Sequence, residues 1–223
     1  STYHAVTLGY LCGELIRRID GRPVGRFFAE EIAGPLGLDA WIGLPPAEEP
    51  RVCALRFAPG WDEMDQMPFS PLMRRVYFNP PIFVEPYMLN RPEFHAAELG
   101  FAGGIADARS LARMYACLAA GGELGGVRLL SPETVDLVRR PLNQHWNPVF
   151  DIPQSYGVMV QLRTSMDLHG PPASAFGHTG AGGMVSGAWP EHGISFCSLH
   201  NLMWLDEVSP HAVEMLDATY RAL

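Results

Sequence analysis

The sequence predicts an α+β fold. Apolar residues recur at helical spacing in the first 40 residues and again after residue 105. Beyond Gln154, three segments have the alternation and the turn residues of antiparallel strands, and an amphipathic helix closes the chain. Helices first, strands next and a terminal helix last is the order expected of an α+β protein rather than of alternating strands and helices.

Composition describes a globular chain and excludes two classes of partner. The 223 residues are 48% hydrophobic, and no apolar run approaches the roughly 18 residues of a transmembrane helix, so we expect no membrane span. A net charge of −8 and dispersed basic residues argue against nucleic-acid binding. All 16 basic residues are arginine, so no lysine amine of this chain can act as a base or form a Schiff base.

Metal and cofactor motifs are missing from the sequence. The histidines form no HExxH pattern, and the cysteines form no CxxC pair. We therefore predict no metal and no cofactor, and interpret the cysteines as reduced thiols. They are Cys12, Cys53, Cys117 and Cys197.

Two helices are predicted in the first 40 residues. The first should stop near Gly21, because glycine favours helix ends. Its apolar residues are Leu8, Leu11, Leu15 and Ile19. The second should end at Gly34-Pro35, because proline interrupts the hydrogen bonding of a helix.

Helical periodicity is lost between about Leu44 and Glu98. Prolines recur at short intervals there, yet aromatic residues are too frequent for a disordered linker. We predict a long ordered excursion, which either lines a binding site or covers the core.

Two more helices are predicted before the strands. Asp107 is a suitable N-cap for a helix that closes at Gly121-Gly122. Ser131-Pro132 begins a shorter helix, because proline is tolerated in the first turn.

The predicted strands are "SYGVMVQLR", "GGMVSGAWP" and "GISFCSLHN". The last two form a hairpin across the turn at residues 191–193. A helix follows Ser209-Pro210, with three apolar residues predicted to face inward: Val213, Leu216 and Tyr220.

The run "FGHTGAGG", residues 176–183, is the strongest candidate for a site. Glycines let backbone N–H groups approach a ligand closely. The N–H of Ala181 could form half of an oxyanion hole, and His178 and Thr179 could contact a substrate carbonyl or carboxylate. The run lies between two predicted strands, so we expect it to border the sheet. The alternative is a glycine-rich turn that leads into a strand, with His178 at the surface.

Three segments together resemble the serine β-lactamase-like hydrolases, above all the branch with class C β-lactamases, family VIII carboxylesterases and penicillin-binding-protein-like enzymes. They are Tyr3 with the helix after it, "GFAGGIADARSLARMYACLAAGG" and "FGHTGAGG", in the order and spacing of that family. The resemblance covers nearly the whole chain. It implies a β-lactamase/transpeptidase-like fold, with an antiparallel sheet flanked by helices and a helical, loop-rich subdomain.

The resemblance also implies roles for five residues. Tyr3 matches the tyrosine that relays a proton between nucleophile and leaving group, a role that a tyrosine of lowered pKa can fill. His178, Thr179 and Gly180 match the family's third motif, Lys-Thr-Gly or His-Thr-Gly. The next N–H, that of Ala181, donates to the oxyanion. Tyr3, His178 and Ala181 are thus implied as catalytic, and Thr179 and Gly180 as substrate-binding.

The family's first motif, Ser-x-x-Lys, is impossible in a chain without lysine. We therefore expect residues 1–223 to be the C-terminal portion of one β-lactamase-like domain, with the nucleophile outside this chain, which alone would be inactive. Residues 1 to about 150 would form its mainly helical and loop-rich part. Residues from about 151 to 223 would supply sheet strands and the terminal helix.

Ester hydrolysis is favoured over lactam hydrolysis. His178 replaces the family's lysine, and Ala5 stands where the lactamases usually have an asparagine that holds the amide carbonyl of a β-lactam. A β-lactamase or D-Ala-D-Ala peptidase-like activity is the alternative. A non-catalytic binding protein and an N-terminal-nucleophile hydrolase using Ser1 are two more.

The expected partner is a small-molecule ester or lactam, with neither nucleic acid nor membrane. A sheet without the family's N-terminal strands has an open edge, so we also expect the missing N-terminal half, or another partner, to cover it. The compartment stays unknown, with the cytoplasm as the favoured location.

Overall fold

The computed structural model describes residues 7–61, 63, 69–78, 86–148, 151–205 and 208–223. Tyr3, Ser1 and Ala5 lie outside these ranges. The chain divides into two compact units, a first that ends at Asp107 and a second that spans Ala108–Leu223.

The first unit is mainly helical. Its helices are α1 (Thr7–Asp20), α2 (Val24–Phe28), α3 (Gly34–Leu36), α4 (Pro71–Tyr77) and α5 (Pro92–Ala96), and its strands are β1 (Ala40–Ile42), β2 (Arg56–Phe57) and β3 (Gly104–Ala106). A π-helical turn covers Ala29–Ala33, and 3₁₀ turns cover Pro46–Arg51 and Pro86–Asn90. Strands β1 and β3 pair antiparallel.

Helix α1 forms as predicted but leaves most of its apolar face exposed. Leu11, Leu15 and Ile19 are 67%, 58% and 78% exposed and lie four residues apart, so they form one stripe along the helix. Another side packs tightly, because Gly9 is buried and a Cβ there would lie 2.4 Å from the carbonyl carbon of Gly100. The unit therefore packs against the glycine side of α1 and leaves this leucine stripe open.

The predicted stop at Gly34-Pro35 is wrong, because the helical path continues to Leu36 and ends at Gly37, which has a φ of 62°. The turn before the proline is π-helical: Gly34 donates to the carbonyl of Ala29. Pro35 then lies in the first turn of α3, where its missing N–H needs no intrahelical partner.

The excursion from Leu44 to Glu98 holds short helices in its described parts. His95, in α5, is buried, and its Nδ1 lies 3.0 Å from a carboxylate oxygen of Glu49. Its Nε2 lies 2.8 Å from the carbonyl oxygen of Leu89. The ring thus ties α5 to the two 3₁₀ turns, which makes this part of the excursion ordered.

The second unit contains one large sheet between helices. Its helices are α6 (Ala108–Ala119), α7 (Pro132–Val138) and α8 (Pro210–Arg221), and its strands are β4 (Glu123–Leu124), β5 (Val127–Arg128), β6 (Asn143–Asn147), β7 (Ile152–Tyr156), β8 (Gln161–Leu162), β9 (Phe176–Gly180), β10 (Met184–Trp189), β11 (Ile194–Ser198) and β12 (Leu202–Met203). Strands β6 to β11 form an antiparallel sheet in sequence order, with β6 and β11 at its edges.

The sheet confirms the predicted β10–β11 hairpin and corrects two other expectations. The segment "SYGVMVQLR" is not one strand, because the chain turns between Tyr156 and Gln161, with Met159 at a φ of 62°. "FGHTG" does not merely border the sheet but forms β9 itself. Strand β6 is not among the strands that the sequence predicts.

Each face of the sheet carries a helix. Tyr115 of α6 packs with Phe176 on one face, and Leu216 of α8 packs with Trp189 on the other. The inward position predicted for Val213 is wrong, since its side chain is 46% exposed, whereas Tyr220, at 41% exposed, packs its ring against the buried Trp189. Helix α8 instead buries Leu216 together with Ala212, whose small side chain permits a close approach to the sheet.

The described helices are short. The longest, α1, has 14 residues. Within the described ranges, no helix combines the length and apolar content needed to cross a membrane.

Candidate active site

Strand β9 carries His178, Thr179 and Gly180 at its end, and Ala181 follows in a β-turn. The turn is closed by the N–H of Gly183, which donates to the carbonyl of Gly180 at 3.1 Å. Gly182 has a φ of 92°, whereas Ala181 is not in the positive-φ region, and this combination defines a type II turn. The turn hydrogen bond does not use the N–H of Ala181, which lies at an exposed corner.

The back of this turn is held by the segment before α8. Trp204 N–H donates to the carbonyl of Gly182 at 2.9 Å, and Ser209 N–H donates to that of Gly183 at 2.8 Å. A Cβ on Gly182 would lie 2.6 Å from the sulfur of Met203. The turn is thus fixed from behind, as an oxyanion donor must be if it is not to reorganise during reaction.

The imidazole of His178 has a defined tautomer. Its Nδ1 lies 2.6 Å from the carbonyl oxygen of Thr179. Because a carbonyl only accepts, Nδ1 carries the hydrogen, and in the neutral ring the lone pair is on Nε2. His178 is therefore arranged to accept a proton, or when charged to donate one, through Nε2.

Gln161 and Tyr156 belong to the site although the sequence did not indicate them. Thr179 N–H donates to Oε1 of Gln161 at 2.8 Å, and Nε2 of Gln161 lies 3.1 Å from Oγ1 of Thr179. The same Nε2 lies 3.2 Å from the hydroxyl of Tyr156, whose ring is 6.4 Å from that of His178. One side-chain amide thus joins β7 to the end of β9.

His169 lies in a turn beneath β9 and is only 3% exposed. A Cβ on Gly177 would lie 2.7 Å from its ring, and the indole N–H of Trp189 donates to its carbonyl at 2.6 Å. Burial, together with the smaller effect of the charge of nearby His178, lowers the pKa of His169 from 6.5 to about 3. His169 is therefore neutral in the folded protein at neutral pH.

This buried histidine should make stability depend on pH. The unfolded chain binds a proton at His169 below pH 6.5, and the folded chain binds one only near pH 3. The contribution of neutral His169 to the free energy of unfolding is therefore fully present above pH 6.5. Below that pH it falls by about 1.4 kcal/mol per pH unit. Urea unfolding from pH 7 to pH 4.5 should show a shallower pH dependence in His169→Gln than in the wild type.

The matched control is His145→Gln, at an exposed position on β6. It gives the baseline for replacing a histidine of the same sheet that is not buried. Equal slopes for the wild type and His169→Gln would contradict the assignment of a buried, neutral ring.

Residues 1–218 match a family model described as Beta-lactamase. The esterase/beta-lactamase LipL of Mycobacterium tuberculosis is 33% identical over 216 residues, which covers 90% of this chain and 48% of that protein. The chain thus spans about half the length of this curated relative.

Two solved structures are similar over the full length of this chain. A penicillin-binding protein homologue from Caulobacter crescentus is 34% identical, with a TM-score of 0.89, and 59% of it is covered. A family VIII carboxylesterase is 30% identical, with a TM-score of 0.90, and 58% of it is covered. Both likenesses agree with the fold expected from the sequence.

Proposed function

Because this chain belongs to the beta-lactamase family, whose β-lactamase/transpeptidase-like fold it shares, we propose that it is part of a serine carboxylesterase that works through an acyl-enzyme. The observation that carries the proposal is the type II turn at residues 180–183. It presents the N–H of Ala181 at an exposed corner next to His178 and Thr179, and the structure holds that corner from behind. Such a donor suits the oxyanion of an acyl-transfer reaction.

In the proposed reaction, a serine outside these 223 residues attacks the ester carbonyl. The new bond to carbon leaves an oxyanion, to which Ala181 N–H donates. Tyr3 takes the proton of the serine and passes it to the departing alkoxide as the carbon–oxygen bond to the alcohol breaks. His178 and Thr179 orient the substrate, and water then hydrolyses the acyl-enzyme.

An ester is favoured over a lactam because this chain has His178 and Ala5 where a lactamase usually has a lysine and an asparagine. The names of its relatives include both esterase and beta-lactamase, and one similar structure is a penicillin-binding protein homologue. Lactam or peptide hydrolysis therefore remains the alternative that the experiment below must separate from ester hydrolysis.

We also propose that chain outside these residues covers two open surfaces, one on each unit. On the first unit, the leucine stripe of α1 is exposed. On the second, a groove of about 400 Å³ runs along the edge strand β11, between Ala112 of α6 and Met215 of α8, and Cys197 lies in its wall. A groove between two helices, beside a strand edge with which no other described strand pairs, suits one more strand.

The first experiment treats the whole protein, as encoded by its full reading frame, with a fluorophosphonate probe and maps the adduct. Short p-nitrophenyl esters and a chromogenic cephalosporin are assayed alongside. We expect one adduct on a serine of a Ser-x-x-Lys sequence outside these residues, with ester turnover exceeding cephalosporin turnover. Faster cephalosporin turnover would favour the lactamase alternative, an adduct on Ser1 would favour the N-terminal nucleophile, and no adduct would favour a binding protein.

The 223-residue chain alone is the control for this experiment. It should take no adduct and should aggregate at concentrations where the whole protein is monomeric, because both open surfaces are then uncovered. A soluble, cooperatively unfolding monomer would contradict the proposed cover.

A further inference from the structure

Gln161 fills a gap in the sheet next to the candidate site. The ladder between β8 and β9 pairs Gln161 with Gly177. Continued by two residues, it would set position 159 opposite Thr179, but Met159 lies in the turn with a φ of 62°. The side chain of Gln161 takes over that pairing, because its Oε1 accepts the Thr179 N–H at 2.8 Å.

The orientation of this amide is fixed by chemistry. A backbone N–H only donates, so the end of Gln161 that faces it must be the oxygen. The other end is then the NH₂ group, and its two hydrogens go to Oγ1 of Thr179 at 3.1 Å and to the hydroxyl of Tyr156 at 3.2 Å. Both hydroxyl oxygens therefore act as acceptors toward Gln161.

A hydroxyl that accepts from Gln161 directs its own hydrogen elsewhere. Resting on the proposed function, we propose that Gln161 is a positioning residue that sets Thr179 as a hydrogen-bond donor toward the substrate. The site would then select a substrate that presents an acceptor to Thr179, such as an ester carbonyl or a carboxylate, and disfavour one that presents an ammonium group. Gln161 acts through Thr179 and does not touch the substrate itself.

The substitution Gln161→Glu in the whole protein tests this polarity, because it keeps the shape and reverses the hydrogen bonding. The introduced carboxylate only accepts, so the Thr179 hydroxyl must turn its hydrogen toward it. We expect kcat/KM for a p-nitrophenyl ester to fall about 10- to 100-fold at pH 8, as for the loss of a good hydrogen bond. Thr179→Val should cause a similar loss, and the double variant should lose no more than Thr179→Val alone.

A pH profile distinguishes a reversed hydrogen bond at the Thr179 hydroxyl from a general disruption of the site. When the introduced carboxyl is protonated, it can donate again, so the ratio of variant to wild-type kcat/KM should rise as the pH falls from 8 to 5. The nearby titratable groups are Tyr156 and His178 at the hydrogen-bonded end and His169 next to Gly177. They are present in both proteins, so the ratio removes most of their own titration. A ratio that stays constant with pH, or a double variant whose losses simply add, would overturn the proposal.

Gln144→Glu is the matched control, because Gln144 lies on β6 of the same sheet and donates to Ser155 at 3.2 Å. It should leave kcat/KM unchanged. If the wild type neither hydrolyses esters nor reacts with the fluorophosphonate, the proposed function fails. Amide hydrogen exchange then tests separately whether the side chain of Gln161 pairs with the Thr179 N–H. The Thr179 N–H should exchange at least tenfold faster in Gln161→Leu than in the wild type or Gln161→Glu, and equal rates in all three would exclude the pairing.

Discussion

Ala181→Pro should lower kcat/KM of the whole protein about 100- to 1,000-fold while leaving the fold intact. Proline has no backbone N–H, so this change deletes the proposed oxyanion donor, whose loss in acyl-transfer enzymes costs about that much. The structure makes the substitution possible, because Ala181 is the second residue of a type II turn, where proline is favoured. Gly180 before it is in an extended strand, as a residue before proline should be.

Two measurements make this result specific. The thermal midpoint of Ala181→Pro should be unchanged or slightly raised, because proline in a compatible turn restricts the unfolded chain. Ala181→Gly keeps the N–H and should retain kcat/KM within a few-fold. If Ala181→Pro were as active as Ala181→Gly, the oxyanion would have to be stabilised by other donors.

Local signals in the sequence predict the elements that frame the site. Ser131 and Ser209 each precede a proline, and both cap their helices by accepting a hydrogen bond from the N–H three residues on. The β10–β11 hairpin is equally local, since Gly193 takes the left-handed conformation that its turn requires. These features need no knowledge of the remaining chain, and their predictions are confirmed.

The hydrogen bonds around Thr179 join residues far apart in the chain, so no local sequence pattern predicts them. Gln161 meets Thr179 only because the chain turns back between β7 and β8, with Met159 in a left-handed conformation that glycine usually adopts. Alternation continues through that turn in the sequence, so the pattern of "SYGVMVQLR" predicts one strand. No apolar alternation indicates strand β6, because its "NQHWN" sequence is polar and mostly exposed, as suits a sheet edge.

The burial of His169 also follows from tertiary packing. Its sequence, "DLHGPPAS", has the glycine and prolines of a surface loop. Gly170 has a φ of 88°, and a Cβ there would lie 2.6 Å from the ring of Trp189. The loop can therefore lie directly on this indole and carry His169 beneath β9, a contact between residues 20 positions apart.

Tyr3→Phe should lower kcat/KM of the whole protein about 100- to 10,000-fold, the range of general acid–base catalysis. The change removes one hydroxyl and keeps the ring, so the proposed proton transfer from the serine to the leaving group loses its relay. The fall should appear in kcat more than in KM, because the relay acts in the transition state rather than in substrate binding. Fluorophosphonate labelling should slow as well, since the probe would react with the same proposed serine.

Tyr10→Phe is the matched control, because it removes the same hydroxyl from a 54% exposed tyrosine on α1, seven positions along the chain. It should leave both the ester rate and the labelling rate unchanged. If Tyr3→Phe stayed within a few-fold of the wild type, the role implied by the tyrosine motif would be wrong. His178 would then be the next candidate for the proton transfer, because its Nδ1 is held by Thr179 and its Nε2 carries the lone pair in the neutral ring.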